Sequence, residues 1–79
     1  MTVSTRFDIG ETVYVLNMRR GNPEYVLGNV DRFTVVKING KCEIRYQIKY
    51  YDGETWCVLY SWEKDLIRDQ ENAKREAVE

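Results

Sequence analysis

The chain has 79 residues, of which 43% are hydrophobic, 13% aromatic and 32% charged, and its formal net charge is −1. This composition allows one small folded domain and excludes a disordered chain, which would lack aromatic and β-branched residues. The charge excludes a strongly basic protein held to nucleic acid or acidic membranes by charge alone, and the lack of histidine removes the commonest general base and metal ligand.

The N-terminal residues carry no apolar stretch of signal-peptide length. No apolar run elsewhere in the sequence approaches the roughly 20 residues that a membrane-spanning helix needs. We therefore expect a cytoplasmic protein without a membrane partner.

The first strand and the loop after it are predicted within residues 7–25. Val13 and Val15 alternate with residues of the opposite face, which indicates a strand with one buried face. Residues 17–25 then contain a Gly-Asn-Pro run, which predicts a loop longer than a tight hairpin needs.

The second strand, predicted over residues 26–38, is expected to bend. Its apolar positions break strict alternation between Val30 and Phe33, and a β-bulge there would restore the pattern. Residues 39–41, with the sequence Asn-Gly-Lys, predict a hairpin turn into the third strand.

The third strand, predicted over residues 42–50, has the most regular pattern in the chain. Apolar residues at the even positions alternate with polar or charged residues at the odd positions, so one face is expected to be buried and the other charged. An Asp-Gly pair at positions 52 and 53 turns the chain, and residues 54–62 return as a fourth strand.

The orientation of the fourth strand depends on the length of that turn. A two-residue type I′ turn places Trp56, Val58 and Tyr60 on the outer face beside Arg45 and Lys49, where they would form a partner site. A three-residue turn with a glycine bulge shifts the register by one residue and turns the same three side chains into the core. Burying a large aromatic side chain stabilises a fold by about 1.5–3 kcal/mol. We favour the inward arrangement because so small a domain has little stability to spare.

The C-terminal residues predict a turn and a helix. Residues 63–68 are interpreted as one turn of 3₁₀ helix or a brief closing strand, with Leu66 and Ile67 pointing inward. Residues 69–79 contain good helix formers after Asp69, which is a plausible N-cap. Because few of them are apolar, we expect this helix to be short and weakly docked.

The two cysteines are predicted to be reduced. In either register Cys42 and Cys57 lie about 17–20 Å apart along adjacent strands. A disulfide needs Cα atoms within about 7 Å of each other.

Together these elements predict an all-β fold, a small five-stranded barrel with a short C-terminal helix. A closed barrel is favoured because closure removes the exposed edges of a small antiparallel sheet. The chain is expected to form a single domain over residues 1–79, with its core at about 7–68 and a helical tail at 69–79.

The order of three motifs resembles the SH3-like, Tudor- and KOW-type small barrels. The motifs are Phe-Asp-Ile-Gly-Glu-Thr-Val at 7–13, Gly-Asn-Val at 28–30 and Glu-Lys-Asp-Leu at 63–66. The resemblance covers residues 7–72 and implies an SH3-like barrel. It also implies an origin among short bacterial or bacteriophage proteins, in which a helical tail is frequent, but the fold carries many unrelated functions.

Neither catalytic residues nor a metal site or cofactor is expected. Two distant cysteines without histidine cannot supply the four ligands of a structural zinc site, and no glycine-rich phosphate-binding motif occurs. Neither thiol has an obvious activating base. Glu63 and Asp65 are interpreted as caps of a solvated turn, so the protein is predicted not to be an enzyme.

Protein–protein recognition is the first hypothesis for the function. Arg19, Arg20, Tyr25 and Trp62 are of the residue types that anchor interfaces. The resemblance to SH3-like barrels implies that the loop at 17–25 borders a ligand groove. The chain would then be a non-catalytic binding module, such as a bacteriophage or mobile-element adaptor or an inhibitor of a host protein.

Nucleic-acid binding and homodimerisation are the alternatives. Residues 19–49 hold seven Lys or Arg against three acidic residues. Within this segment Lys37, Lys41, Arg45 and Lys49 would track phosphates while an aromatic ring stacks on a base, although the isoelectric point near 5.5 argues against it. A homodimer would hide an edge strand or the aromatic stripe.

Overall fold

The computed structural model describes residues 5–19 and 21–78. These residues form four strands and one helix, namely β1 (Thr12–Arg19), β2 (Asn22–Ile38), β3 (Lys41–Tyr51), β4 (Trp56–Trp62) and α1 (Glu63–Val78). Neighbouring strands are antiparallel and follow the chain in the order β1-β2-β3-β4.

The prediction of an all-β fold holds in part, because the described residues are mostly β, but the prediction of five strands is wrong. Within the described ranges the sheet has four strands and is not closed, so that β1 and β4 form its two edges. The residues expected to turn or to add a closing strand, 63–68, instead begin α1 directly after β4.

The helix α1 is one continuous element of 16 residues, not a separate turn followed by a weakly docked helix. Leu66 is fully buried and Ala73 nearly so, and their spacing of seven residues places both on one helical face. Glu63 and Asp65 lie in the first turn, where negative charge favours the helix dipole. In the described part of the chain, no helix is both long and apolar enough to cross a bilayer.

The connection between β1 and β2 is shorter than predicted. The expected nine-residue loop is wrong, because Asn17, Met18 and Arg19 pair with Glu24, Pro23 and Asn22 of β2. The proline is tolerated at this point because β3 pairs with β2 only from Asn29 onward, which leaves one side of the strand open.

Two local predictions along β2 and β3 are confirmed. The register shifts between Val30 and Arg32 through a β-bulge. The turn at Asn39 and Gly40 has φ angles of 50° and 80°, as a type I′ hairpin turn requires.

The core lies on the inner face of the curved sheet, beneath α1. It consists of one cluster of buried side chains: Phe7, Val13, Val15, Val30, Tyr46, Ile48 and Leu66. Cys42 and Cys57 are not joined in a disulfide; Cys42 is exposed and Cys57 half-buried.

Side chains of α1 cover part of the open edge of β1. The amide of Gln70 accepts a hydrogen bond from the Tyr14 N–H and donates one to the Tyr14 carbonyl, both at 2.8 Å. Asp69 accepts a hydrogen bond from the Leu16 N–H at 3.1 Å. The side-chain amide thus occupies the place of a peptide group from a fifth strand, which would otherwise satisfy these edge groups.

Candidate binding surface

The loop between β3 and β4 fixes which side chains face outward. It has four residues, 52–55, and the Asp52 carboxylate accepts hydrogen bonds from the N–H groups of Glu54 and Thr55 at 2.8 and 2.9 Å. The Asp52 N–H donates to the Thr55 carbonyl at 3.1 Å. The turn therefore has neither the two nor the three residues considered from the sequence.

The inward placement of Trp56, Val58 and Tyr60 is wrong. These side chains are 66%, 42% and 60% exposed, respectively. The physical reason lies on β3, where Tyr46 and Ile48 are fully buried and already fill the inner face. Tyr46 pairs with Ser61 and Ile48 with Leu59, so the space opposite Tyr46 holds a small residue rather than an indole or phenol ring.

The outer surface of the β3–β4 hairpin combines aromatic and basic side chains. We call it the aromatic face; it consists of Arg45, Lys49, Tyr51, Trp56, Val58 and Tyr60. The guanidinium of Arg45 lies 5.0 Å from the centre of the Tyr60 ring, within the range of a cation–π contact. The rings of Tyr51 and Trp56 lie 5.5 Å apart at a tilt of 56°.

The cations of this region differ in their ionic partners. Lys49 lies 3.7 Å from Asp31 at the bulge of β2, and Arg32 lies 3.4 Å from the same carboxylate. Gln47 also donates a hydrogen bond to Asp31 at 3.2 Å. Arg45 forms no ion pair with the side chains that the structure describes, and its guanidinium contacts the Tyr60 ring instead.

A hydrogen-bonded network beneath the sheet holds the start of α1 in place. The Tyr46 hydroxyl donates to Glu63 at 2.6 Å, and the Arg6 N–H donates to the same carboxylate at 3.2 Å. Burial, followed by the bond to Glu63, raises the pKa of Tyr46 to about 12. The phenol is therefore a neutral donor at physiological pH, and its role is structural.

Of the four residues predicted to anchor a protein partner, the structure describes the side chains of two, Tyr25 and Trp62. Arg20 and the side chain of Arg19 lie outside the described residues. Tyr25 is half-buried on β2 opposite Leu16, whereas Trp62 is half-buried at the end of β4. The loop that the set was expected to line does not exist in the predicted form.

Three of the four residues in the nucleic-acid alternative share one face. Lys41, Arg45 and Lys49 occupy every fourth position of β3 and lie on its outer side, because side chains of a strand alternate between faces. Lys37 pairs with Cys42, an even-numbered residue on the inner side of β3. The Lys37 side chain is therefore on the other face of the sheet.

Sequence reasoning missed a second group of exposed apolar side chains, on the outer face of β1 and β2. This group comprises Tyr14, Leu16, Met18 and Leu27. The interpretation of residues 17–25 as a loop left Met18 out of β1. The alternation of Tyr14, Leu16 and Met18 with Val13 and Val15 is the signal that could have revealed it.

No group of three or more Cys, Asp or Glu side chains in the described part of the chain is arranged to hold a metal ion.

No protein-family model matches the sequence, and searches of curated proteins and of solved structures give no match.

Proposed function

We propose that this protein is a non-catalytic binding module that recognises another protein through the aromatic face. The observation that carries the proposal is the exposure of Tyr51, Trp56 and Tyr60, which are 55%, 66% and 60% accessible on one side of one hairpin. At 150–250 Å² for each ring, about 350 Å² of aromatic surface remains in contact with water. The largest apolar patch on a typical monomer is of this size and is often functional.

The residue types on this surface favour a protein partner. Tyrosine, tryptophan and arginine are the side chains that most often dominate binding energy at protein interfaces. Aliphatic side chains add to them, with Val58 between the rings and Leu27 and Met18 farther along the same outer face. Aliphatic groups contribute to protein interfaces by burial, whereas they offer neither charge to phosphates nor a stacking plane to bases.

The hairpin presents these groups in a fixed arrangement. The Asp52 carboxylate holds the loop by two hydrogen bonds, and β3 is anchored in the core by Tyr46 and Ile48. A preorganised surface loses little conformational entropy on binding. The resemblance to SH3-like barrels and the role as a bacteriophage or mobile-element adaptor or inhibitor stay predictions.

The test is affinity capture from cell lysate with the wild-type protein and a Trp56→Ser, Tyr60→Ser double variant. Because both side chains are exposed, the double variant is expected to fold with nearly unchanged stability. Wild type should retain a protein partner at low and at high salt, and the double variant should lose it. Thr34→Ala on the outer face of β2 is the matched control; equal capture by all three proteins would contradict the proposal.

Nucleic-acid binding remains a second candidate because Lys41, Arg45 and Lys49 lie on one face beside Tyr60. Phosphate contacts weaken steeply with salt, whereas an apolar protein interface does not. A ligand that is lost at high salt, and lost again in a Lys41→Gln variant at low salt, would support this candidate over the first.

A further inference from the structure

We propose that the segment held by the aromatic face is extended and acidic, with one apolar side chain over Val58 and one carboxylate on Arg45. This inference rests on the proposed function and specifies the chemistry of the partner. The other macromolecule that would fit aromatic and basic groups, a single-stranded nucleic acid, becomes an outcome of the test.

The shape of the surface accommodates one apolar side chain. Trp56, Val58 and Tyr60 are alternate residues of β4, so the two rings stand about 13 Å apart with Val58 midway between them. Val58 is less exposed than either ring, at 42% against 66% and 60%. Because the valine side chain is also shorter than either ring, a partner side chain placed over Val58 would be flanked by Trp56 and Tyr60.

The charges beside Val58 favour carboxylates. Arg45 contacts the Tyr60 ring and lacks an acidic partner among the described residues. Lys49 pairs with Val58 across the two strands and lies four residues from Arg45, a distance of about 13 Å. Tyr60 lies two residues from Val58 on β4, so in an extended partner with an apolar residue over Val58, a carboxylate two positions away lies level with the Tyr60 ring and the Arg45 guanidinium.

The same surroundings disfavour a continuous polyphosphate. Asp31 already lies beside Lys49 and Arg32, and Glu43 stands on the outer side of β3 two residues from Arg45. A nucleic-acid strand carries a charge at every nucleotide and would bring phosphates against these carboxylates. One carboxylate level with Tyr60 avoids them, because the Arg45 guanidinium lies over that ring and Asp31 lies beside Lys49.

The experiment measures tryptophan fluorescence in a Trp62→Phe variant. The chain has two tryptophans, so in this variant the signal comes from Trp56 alone. The probe is the capped peptide Thr-Glu-Thr-Phe-Thr-Glu-Thr, because threonine favours an extended backbone. We expect saturable binding to the aromatic face. Replacing both Glu by Gln in the peptide should weaken binding about fivefold, as expected for exposed ion pairs; replacing Phe by Ala should weaken it at least as much.

Matched protein variants assign the charge effect to one residue. Arg45→Gln should reduce the affinity for the Glu peptide to that for the Gln peptide, Arg45→Lys should restore part of the difference, and Lys41→Gln on the same face should change neither. Equal affinities for the Glu and Gln peptides would overturn the inference, as would tighter, strongly salt-dependent binding of an eight-nucleotide deoxythymidine strand. If neither peptide binds while the Trp56→Ser, Tyr60→Ser variant still loses a captured protein, the acidic segment is excluded and the proposed function stands.

Discussion

Gly28 illustrates how a single position constrains the sheet. A Cβ atom at this site would lie 2.7 Å from the Ile48 side chain and 2.8 Å from the Lys49 carbonyl oxygen. The carbonyl belongs to the backbone of β3 and cannot move aside without breaking the strand pairing. The glycine of the Gly-Asn-Val motif is therefore required by the close approach of β2 and β3.

We expect Gly28→Ala to lower the free energy of unfolding by about 1–3 kcal/mol, the usual cost of overpacking a filled core. Urea denaturation followed by tryptophan fluorescence measures it. Thr34→Ala, on the exposed side of the same strand, should change the value by less than about 0.5 kcal/mol. An unchanged unfolding midpoint for Gly28→Ala would show that β2 and β3 can separate at this point.

Asp69 is buried on α1 and accepts the hydrogen bond from Leu16. Burial, the largest cause, raises the pKa of this carboxyl, and the hydrogen bond only partly opposes it. Because the folded pKa is above the unfolded one, the protonated form stabilises the fold. That contribution is complete below the unfolded pKa near 3.8 and is lost as the pH rises through the folded pKa.

An Asp69→Asn variant keeps an acceptor for the Leu16 N–H but cannot ionise. Its free energy of unfolding, relative to wild type, should therefore increase as the pH rises from about 3.5 to 7. Parallel urea denaturation of both proteins across this range provides the measurement. A difference that is constant with pH, or that falls, would contradict the direction of the pKa shift.

At the level of single residues, the sequence predicts the core of β3 well and the face of β4 poorly. Strict alternation identifies Tyr46, Ile48 and Tyr50 as inward, and all three are buried. Which side chains of β4 point into the core depends on the length of the loop before it, and a short Asp-Gly motif does not specify that length. Ser61 indicates which face of β4 is buried, because its small side chain fits opposite Tyr46.

Among the elements, the helix α1 replaces the strand that would have closed a barrel. Its residues 63–68, taken alone, are too few to distinguish a turn from a helix. Taken with 69–78 they place Leu66, Asp69, Gln70 and Ala73 on one face with helical spacing. Asp69 and Gln70 are polar, so the apolar pattern of the sequence predicts that they face solvent. In the structure they accept hydrogen bonds from the edge of β1.

We expect Gln70→Ala to release the edge of β1 locally. The variant loses both hydrogen bonds to Tyr14, which lowers the free energy of unfolding by about 1 kcal/mol. More specifically, the Tyr14 amide should exchange with deuterium faster than in wild type. Glu71→Ala, an exposed neighbour on the same helix, is the control; equal Tyr14 exchange rates in wild type and Gln70→Ala would mean that the edge is sealed by other contacts.

For the whole molecule, the predictions of a hairpin turn at residues 39–41 and of a bulge after Val30 are confirmed, and the predicted all-β class holds in so far as the described residues are mostly β. The prediction of a closed barrel is wrong because side chains of α1, and not a fifth strand, cover part of the β1 edge. Side-chain groups of a helix satisfy backbone donors and acceptors equally well where only a short edge is open. Because α1 packs on the inner side of the sheet, the outer side stays uncovered, and the aromatic face is part of that outer side.

The hydrogen bonds from Asp69 and Gln70 to β1 predict that the second half of α1 prevents fibril formation through this edge. A chain shortened after residue 68 lacks Asp69 and Gln70, so the donors and acceptors of Tyr14 and Leu16 become available to other molecules. Uncovered edges of this kind recruit further strands. The shortened protein should scatter light and bind thioflavin on storage at concentrations at which the full chain stays clear, and a clear, thioflavin-negative sample would show that the tail has no such role.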